Sequence, residues 1–274
     1  MGTAEDATDR AKDAARTAQH SPVLRRAARI GFLVLGVLHI LIGTAAISVA
    51  VGGGGGKADQ GGAMEQLRHS AIGGLLLAVV AAALVALAVW RIADAFLTSA
   101  PEGASKWARR LKNLGIAAVY LVLAGIAVVF AVGGRTDSSQ SSQTASSRIL
   151  SVPGGEVLLV AIGLAVVAVG AGFVVAAITR SFTKELHLPP GTRRAGVELF
   201  GVIGYLAKGI AVAATGALFV IASVTEDPDK AAGLDAALRG IDALPYGPVL
   251  LYAVAAGLIA YGLFCIARAR YERM

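Results

Sequence analysis

Six long apolar runs alternate with shorter polar segments along this 274-residue chain. A helix needs about 20 residues to cross the roughly 30 Å hydrocarbon core of a bilayer. Backbone inside that core must satisfy its hydrogen bonds within its own segment, so each run is predicted to be a helix. The pattern predicts an all-α fold, an integral membrane bundle of six transmembrane helices. The predicted spans are residues 30–51, 71–90, 114–132, 157–178, 199–224 and 249–267.

The polar segments fall into two alternating sets with unequal charge. The N-terminal tail, residues 91–113, residues 179–198 and the C-terminal tail together hold 18 Lys and Arg, whereas residues 52–70, 133–156 and 225–248 hold 6. Cytoplasmic segments of membrane proteins carry the excess of basic residues. We therefore expect a multi-pass protein of the cytoplasmic (cell) membrane with both termini in the cytoplasm. Its basic clusters would meet anionic lipid headgroups on that face.

Composition supports the membrane assignment and excludes several other classes. The chain is 56% hydrophobic and 16% charged, with a net charge of +7, whereas soluble domains are about 25% charged. A nucleic-acid partner is not expected, because no basic face with a groove-entering element is present. Cys265 is the only cysteine and the four histidines are scattered. Neither a metal site nor a cofactor is therefore predicted.

A two-helix unit occurs three times in tandem. After a polar tail at 1–27, the units are predicted to cover residues 28–97, 109–182 and 198–272. The first and third units share three glycines at the same spacing, namely Gly31, Gly36 and Gly43, and Gly204, Gly209 and Gly216. The second unit has diverged most, since it carries Lys112, Ala117 and Ala124 at those positions.

Two spans per unit return the chain to the side on which it started, so the three repeats are parallel. Inverted repeats, in contrast, need an odd number of spans. Parallel repeats predict a pseudo-threefold bundle that either encloses a central cavity or packs solidly. Small residues let membrane helices approach closely. The six shared glycines are therefore predicted to be helix-packing residues, with a ligand-lining role as the alternative.

Several motifs resemble one known family. They are Gly-Phe/Tyr-x3-Gly at the start of the first and third units, the segment 233–239 followed by Pro245-Tyr246-Gly247, and the closing Ala269-Arg270-Tyr271. Over residues 28–272 the chain resembles the actinobacterial membrane family known as domain of unknown function 1206. The resemblance implies six spans in three tandem two-helix units. It brings no activity, cofactor or catalytic residue, because that family has no assigned role.

Three polar residues inside predicted spans are candidates for lining a cavity: His39, Tyr120 and Lys208. An ammonium group at the bilayer centre costs about 3 kcal/mol. Lys208 either snorkels to the headgroups, which we favour, or faces a cavity and binds an anionic group. His39 occupies the repeat position of Tyr120. It either relays protons or, as we favour, is a neutral imidazole hydrogen-bonded across the bundle, for example to Tyr120.

The three loops opposite the termini differ in character. Residues 231–244 place four apolar side chains on one stripe, which predicts a short surface helix, and residues 64–68 indicate a similar helix in the first unit. The glycine-rich 52–56 and the Ser/Gln-rich 138–147 are predicted to be flexible. Residues 4–20 are expected to form a solvated or interfacial helix, partly disordered.

The chain carries no HExxH, Gly-x-Ser-x-Gly or GxxxxGK[ST] motif and no carboxylate pair within a span, so no enzyme activity is predicted. We favour a structural, interaction or lipid-associated component of the membrane. The alternative is a transporter or channel that carries a small solute or lipid through a central cavity. A polar-lined cavity would favour the alternative, whereas glycines and alanines packed through the centre would favour the structural role. A protein partner or a homo-oligomer remains open.

Overall fold

The computed structural model describes residues 21–53, 56–97, 104–188 and 191–272. The interfacial helix expected over 4–20 lies outside these residues. Within these residues, six helices are long and apolar enough to cross a membrane, and each covers one of the predicted apolar runs to within two residues. They are α1 (Pro22–Ala50), α3 (Gly73–Leu97), α4 (Ala104–Ala131), α6 (Gly155–Thr179), α7 (Thr192–Val224) and α9 (Gly247–Tyr271).

Three shorter helices lie between the two spans of each repeat: α2 (Gln60–Arg68), α5 (Ser138–Leu150) and α8 (Gly233–Asp242). Two 3₁₀ turns follow α6 and α7, at Ser181–Glu185 and Pro228–Lys230. The surface helices expected in the first and third units are present as α2 and α8. We refer to α2, α5, α8 and their loops as the cap, and to the opposite face of the bundle as the terminal side.

The prediction that residues 138–147 are flexible is wrong, because they form most of α5. The Asp137 carboxylate caps this helix by accepting hydrogen bonds from the backbone N–H groups of Ser139 (3.0 Å) and Gln140 (3.2 Å). A cap of this kind supplies about 1 kcal/mol. The Gln143 side chain also donates to the Asp229 carbonyl of the third repeat (2.9 Å). Contacts with other repeats therefore stabilise a segment whose composition alone favours disorder.

The six spans form a C-shaped ring. Going round it, the order is α4, α3, α1, α9, α7 and α6, and the most extensive packing joins different repeats: α1 with α9, α3 with α4, and α6 with α7. Within repeats, α1 packs on α3 and α7 packs on α9. In the described part of the chain, α4 and α6 of the second repeat do not pack along their lengths. The bundle is thus a pseudo-threefold ring with one break.

Glycines bring the helices of neighbouring repeats into backbone contact. A Cβ atom on any of four glycines would lie within 3 Å of a carbonyl oxygen of the adjoining repeat. The contacts are Gly36 with Gly262, Gly43 with Ala255, Gly209 with Gly170, and Gly216 with Gly163. The buried Ala117 and Ala124 replace these glycines where α4 packs on α3. The same small-residue interface therefore occurs three times around the ring.

Gly31 and Gly204 serve a different interface, inside their own repeats. A side chain on Gly31 would collide with Leu87, and one on Gly204 would collide with Tyr261. The equivalent residue of the second repeat is Lys112. A lysine there removes the close approach that glycine permits, which explains why the ring is open between α4 and α6.

The second helices show the same difference. Leu87 and Tyr261 are 0% and 7% exposed, whereas Val169, at the same place in the second repeat, is 55% exposed. Three residues further on, Trp90 and Phe264 are buried. Their counterpart is Gly172, around which a side chain would meet open space. The second repeat thus lacks both the glycine and the large aromatic residue that close the other two.

The cap, in contrast, is joined in a closed cycle of polar contacts. The first repeat contacts the second, the second contacts the third, and the third returns to the first. The contacts are the ion pair of Lys57 with Asp137, the hydrogen bond of Gln143 with Asp229, and the hydrogen bond from the Ala58 N–H to Asp235 (2.8 Å). The hydrogen bond from the Lys57 ammonium, together with its positive charge, holds the pKa of Asp137 below its usual value. The cap therefore connects all three repeats on its face of the bundle, including the second repeat, whose two spans form the ends of the open ring.

Candidate interior ligand site

Lys208 points into the bundle from the middle of α7. Its ammonium group donates a hydrogen bond to the Tyr261 hydroxyl (3.1 Å) and lies 4.2 Å and 5.0 Å from the ring centroids of Tyr261 and Phe173. A cation over aromatic faces gains roughly 0.5–2 kcal/mol. The favoured expectation, that Lys208 snorkels to the headgroups, is therefore wrong. Its surroundings hold it inside, because two aromatic rings and a hydroxyl partly replace its hydration.

No carboxylate among the described residues lies within ion-pair distance of Lys208. An ionised ammonium inside a membrane normally has a charged partner or faces water, and it marks a functional site by default. Aromatic faces offset only part of the cost of removing it from water. The residue thus offers an incompletely neutralised positive charge within the span region.

His39 lies beside this charge on α1. Its Nδ1 is 2.7 Å from the Leu35 carbonyl, which can only accept, so Nδ1 carries the proton. The ring packs edge-on against Tyr261, with centroids 4.7 Å apart. The hydrogen bond in the structure thus goes to Leu35 rather than to Tyr120, the partner we expected. Nε2 of a neutral His39 is then free of a proton and can accept a hydrogen bond.

Tyr120 points inward from α4, the helix at one end of the open ring. It packs against the buried core cluster to which α1, α3 and α9 contribute side chains. Tyr261 contacts the His39 ring edge-on and accepts a hydrogen bond from Lys208. The structure therefore brings His39 and Lys208 together at Tyr261, and it places Tyr120 on the inner side of α4.

This interior is not fully filled. His39, Tyr120, Phe173 and Lys208 come from four helices, and each is only half-buried, although all face the inside of the ring. Tyr205 and Cys265 behind them are buried. Two of the half-buried side chains, Tyr120 and Phe173, stand on the two helices that border the break.

A buried ion network closes the terminal side. Arg268 of α9 binds both oxygens of Glu272, at 2.6 Å and 2.8 Å. It also donates to Glu185 and, at 3.4 Å, to the Tyr205 hydroxyl. A bidentate guanidinium–carboxylate pair is the strongest and most directional ion pair in proteins. It attaches the end of α9 to α7 and to the 3₁₀ turn after α6.

Arg91 of α3 joins the same network more loosely. Its guanidinium lies 3.7 Å from Glu272 and 3.9 Å from Glu185, and its buried Nε has no hydrogen-bond partner. Burial alone would raise the pKa of Glu185, but Arg268 and Arg91 outweigh it and lower that pKa. Arg91 therefore keeps donor capacity that the carboxylates do not use.

Sequence reasoning missed several of these residues. Glu185, Arg268 and Glu272 were not among the predicted site residues, and no signal placed Tyr261 or Phe173 at an interior site. One usable signal existed. Arg268 directly follows the last apolar run, and Glu272 stands four residues further on, a spacing that suits an ion pair on one helix face.

The chemistry of the site is that of a cationic, aromatic binding region. Within the described residues, no three His, Cys, Asp or Glu side chains cluster as metal ligands. The lysine and the imidazole Nε2 can bind an anionic group and a hydroxyl, and the aromatic rings can pack on an alkyl chain. Together, fold and site define a six-span membrane bundle of three tandem repeats with polar and aromatic side chains inside.

The chain belongs to the family described as Domain of Unknown Function (DUF1206), whose model matches it three times, over residues 30–98, 112–180 and 203–272. It is also 32% identical to an uncharacterised protein, YxxB, of Bacillus subtilis (strain 168), over 92% of this chain and 93% of that protein. No solved structure is significantly similar to it. The family match and the three repeats confirm the resemblance seen in the sequence. An actinobacterial source remains a prediction.

Proposed function

We propose that this protein is a lipid-associated component of the cytoplasmic membrane that binds an anionic amphiphile in the interior of its bundle. The observation that carries the proposal is the ammonium group of Lys208, held between two aromatic rings with no carboxylate partner in the described part of the chain. An anionic ligand would supply the missing countercharge.

Depth supports an amphiphile over a soluble anion. Lys208 bonds Tyr261, which lies seven residues before Arg268 on α9. At 1.5 Å per residue, that places Lys208 about 10 Å deeper in the bundle than the ion network of the terminal side. The network covers the site from that side and the cap covers it from the other. A ligand that is itself soluble in hydrocarbon reaches such a site most readily.

The charge distribution supports the orientation. With 18 of the basic residues on the terminal side and 6 on the cap side, both termini would face the cytoplasm. Lipid headgroups are then the expected partners of the terminal side, and no nucleic acid is. We propose a binding role without catalysis, and a homo-oligomer or protein partner stays open.

The test is retention of lipid by the purified protein, measured by native mass spectrometry in mild detergent. We expect the wild type to keep an anionic lipid and Lys208→Met to lose it, because methionine keeps the length of the side chain but not its charge. Lys230→Met is the matched control, since Lys230 is a half-exposed lysine of the cap. Equal retention by the wild type and Lys208→Met would contradict the proposal.

Transport through the centre is the second candidate, and the polar side chains on the inside of the ring favour it. The closed cap argues against a continuous aqueous pore. A transporter would therefore move its ligand within the membrane or between leaflets. A flux of labelled lipid across reconstituted vesicles that depends on Lys208 would favour transport over binding alone.

A further inference from the structure

We infer that the anionic amphiphile enters sideways from the hydrocarbon, through the opening between α4 and α6, and keeps its alkyl chain in that opening while its headgroup meets Lys208. This inference rests on the proposed function, because it names the route and the ligand class of the same site. The ligand class is a lipid with an anionic headgroup, carboxylate or phosphate, and at least one alkyl chain.

The first support is the break in the ring. The other neighbouring spans pack on each other, whereas α4 and α6 do not. These two helices are also the least buried of the six spans, because only 22% of the apolar stretch of α4 and 17% of that of α6 are buried inside the protein. A gap between two lipid-facing helices is filled by the surrounding medium, which in a membrane is alkyl chain.

The second support is that the opening is built by residue changes in one repeat only. Lys112 stands where Gly31 and Gly204 permit close approach in the other repeats. Gly172 stands where Trp90 and Phe264 are buried. One substitution replaces glycine with a long charged side chain on α4, and the other removes from α6 the large side chain that is buried in the other repeats. Both changes act in the same direction.

The third support is the match between the opening and the site behind it. Tyr120 of α4 and Phe173 of α6 are half-buried on the two bordering helices, and the Lys208 ammonium lies 5.0 Å from the Phe173 ring. A headgroup at Lys208 would therefore sit just inside the border. Its chain would leave along apolar side chains, with Val169 exposed on the way. The positive charge of Lys208 thus lies inside the bundle and apolar side chains lie at its outside, which matches the charged headgroup and apolar chain of an amphiphile.

The experiment uses the full chain in nanodiscs with a palmitate analogue that carries a diazirine in its chain. After photolysis, the labelled residues are mapped by peptide mass spectrometry in the wild type and in Lys208→Met. Only labelling that Lys208→Met abolishes is counted, because lipid-facing surfaces acquire a nonspecific background. The methyl ester of the probe is the neutral control, and a diazirine phosphatidic acid distinguishes a phosphate from a carboxylate headgroup.

We expect the Lys208-dependent label on α4 and α6, and its loss in Gly172→Phe, which installs the residue of the third repeat in the opening. Gly125→Phe is the matched control, because Gly125 on α4 also faces open space. Its label should equal that of the wild type.

Other results separate the two proposals. Lys208-dependent label on other helices, with Gly172→Phe unaffected, would overturn the route and leave ligand binding intact. Absence of Lys208-dependent label and of retained lipid would overturn the proposed function, and the route with it. Equal labelling by the acid and its methyl ester would overturn the anionic ligand class.

Discussion

At the scale of single residues, the molecule separates charges that are neutralised from charges that are not. Arg268 has both oxygens of Glu272 and a contact to Glu185, so it stabilises the bundle and is unavailable to a ligand. Lys208 has a hydroxyl and two aromatic rings. Removal of two charges from water is repaid only with good geometry and full hydrogen bonding. Arg268 meets that condition and Lys208 does not.

The cap contains a buried carboxylate that makes stability depend on pH. Asp59 is 1% exposed, caps α2 through the Gly62 N–H (2.7 Å) and has one oxygen without a partner. Burial, and also the charge of Asp235, raise the pKa of Asp59 above its usual value, although the Gly62 bond opposes them. A raised pKa in the folded state stabilises at low pH, and this stabilisation is lost as the pH rises through that pKa.

We therefore expect Asp59→Asn to unfold at the wild-type temperature or above it near pH 8, because asparagine caps as well as aspartate without the charge. This advantage should shrink as the pH falls towards about 4, the ordinary pKa of an aspartate. Asp59→Ala should be about 1 kcal/mol less stable than Asp59→Asn at both values, since both variants lose the charge but only alanine also loses the cap. Thermal unfolding in detergent at both pH values checks this. An Asn variant as unstable as the Ala variant at pH 8 would show that the charge itself is needed.

At the scale of helices, each first span of a repeat carries two kinds of contact. Gly36 and Gly43 face the neighbouring repeat, whereas Gly31 faces the second span of its own repeat. The second repeat keeps the former kind, as Ala117 and Ala124, and loses the latter at Lys112. Its two spans, α4 and α6, therefore pack on helices of the neighbouring repeats and not on each other.

Gly36 and Gly125 provide a matched test of helix packing. A Cβ on Gly36 would lie 2.7 Å from the Gly262 carbonyl, whereas one on Gly125 would meet nothing within 4 Å. Overpacking costs about 1–3 kcal/mol, while alanine in an open helix position gains up to about 1 kcal/mol over glycine.

We expect Gly36→Ala to lower the unfolding temperature in detergent and Gly125→Ala to leave it unchanged or raise it. The readout is the loss of folded monomer on heating, followed by size-exclusion chromatography. Equal behaviour of the two variants would mean that α1 and α9 can separate without cost at this point.

At the scale of the whole molecule, one face is joined in a cycle and the ring is open at one flank. The cap contacts connect all three repeats, so α4 and α6 are held at their cap ends although they do not pack. These contacts fix the cap ends of α4 and α6 relative to each other while the rest of the two helices stays apart. The protein also has two chemically different faces, a basic terminal side and a slightly acidic cap.

Orientation is testable with single cysteines in a Cys265→Ser background. Ser141 on α5 and Trp107 on α4 are both exposed, on the cap and the terminal side respectively. If both termini are cytoplasmic, a membrane-impermeant maleimide applied to intact cells will label Ser141→Cys and not Trp107→Cys. Permeabilised cells, in which both should react, are the control. The opposite labelling pattern would invert the orientation.

The sequence by itself determined the class of protein, the six spans and the three parallel repeats. Runs of about 20 apolar residues have one stable solution in a bilayer, and repeated glycines mark repeated contacts. It also singled out His39, Tyr120 and Lys208, because polar residues are rare in such runs. Each of these inferences depends on local composition or spacing, which a linear sequence displays directly.

Only the tertiary structure decided which way Lys208 points, because the choice between headgroups and interior depends on Phe173 and Tyr261, far away in the chain. It also decided that α5 is a helix, since partners from other repeats stabilise it. The sequence indicates a change at the opening, because Lys112 replaces a glycine of the other repeats, but such a substitution shows only that a contact has changed. Whether the helices then part depends on how firmly each is held by its other neighbours, and that balance exists only in the assembled bundle.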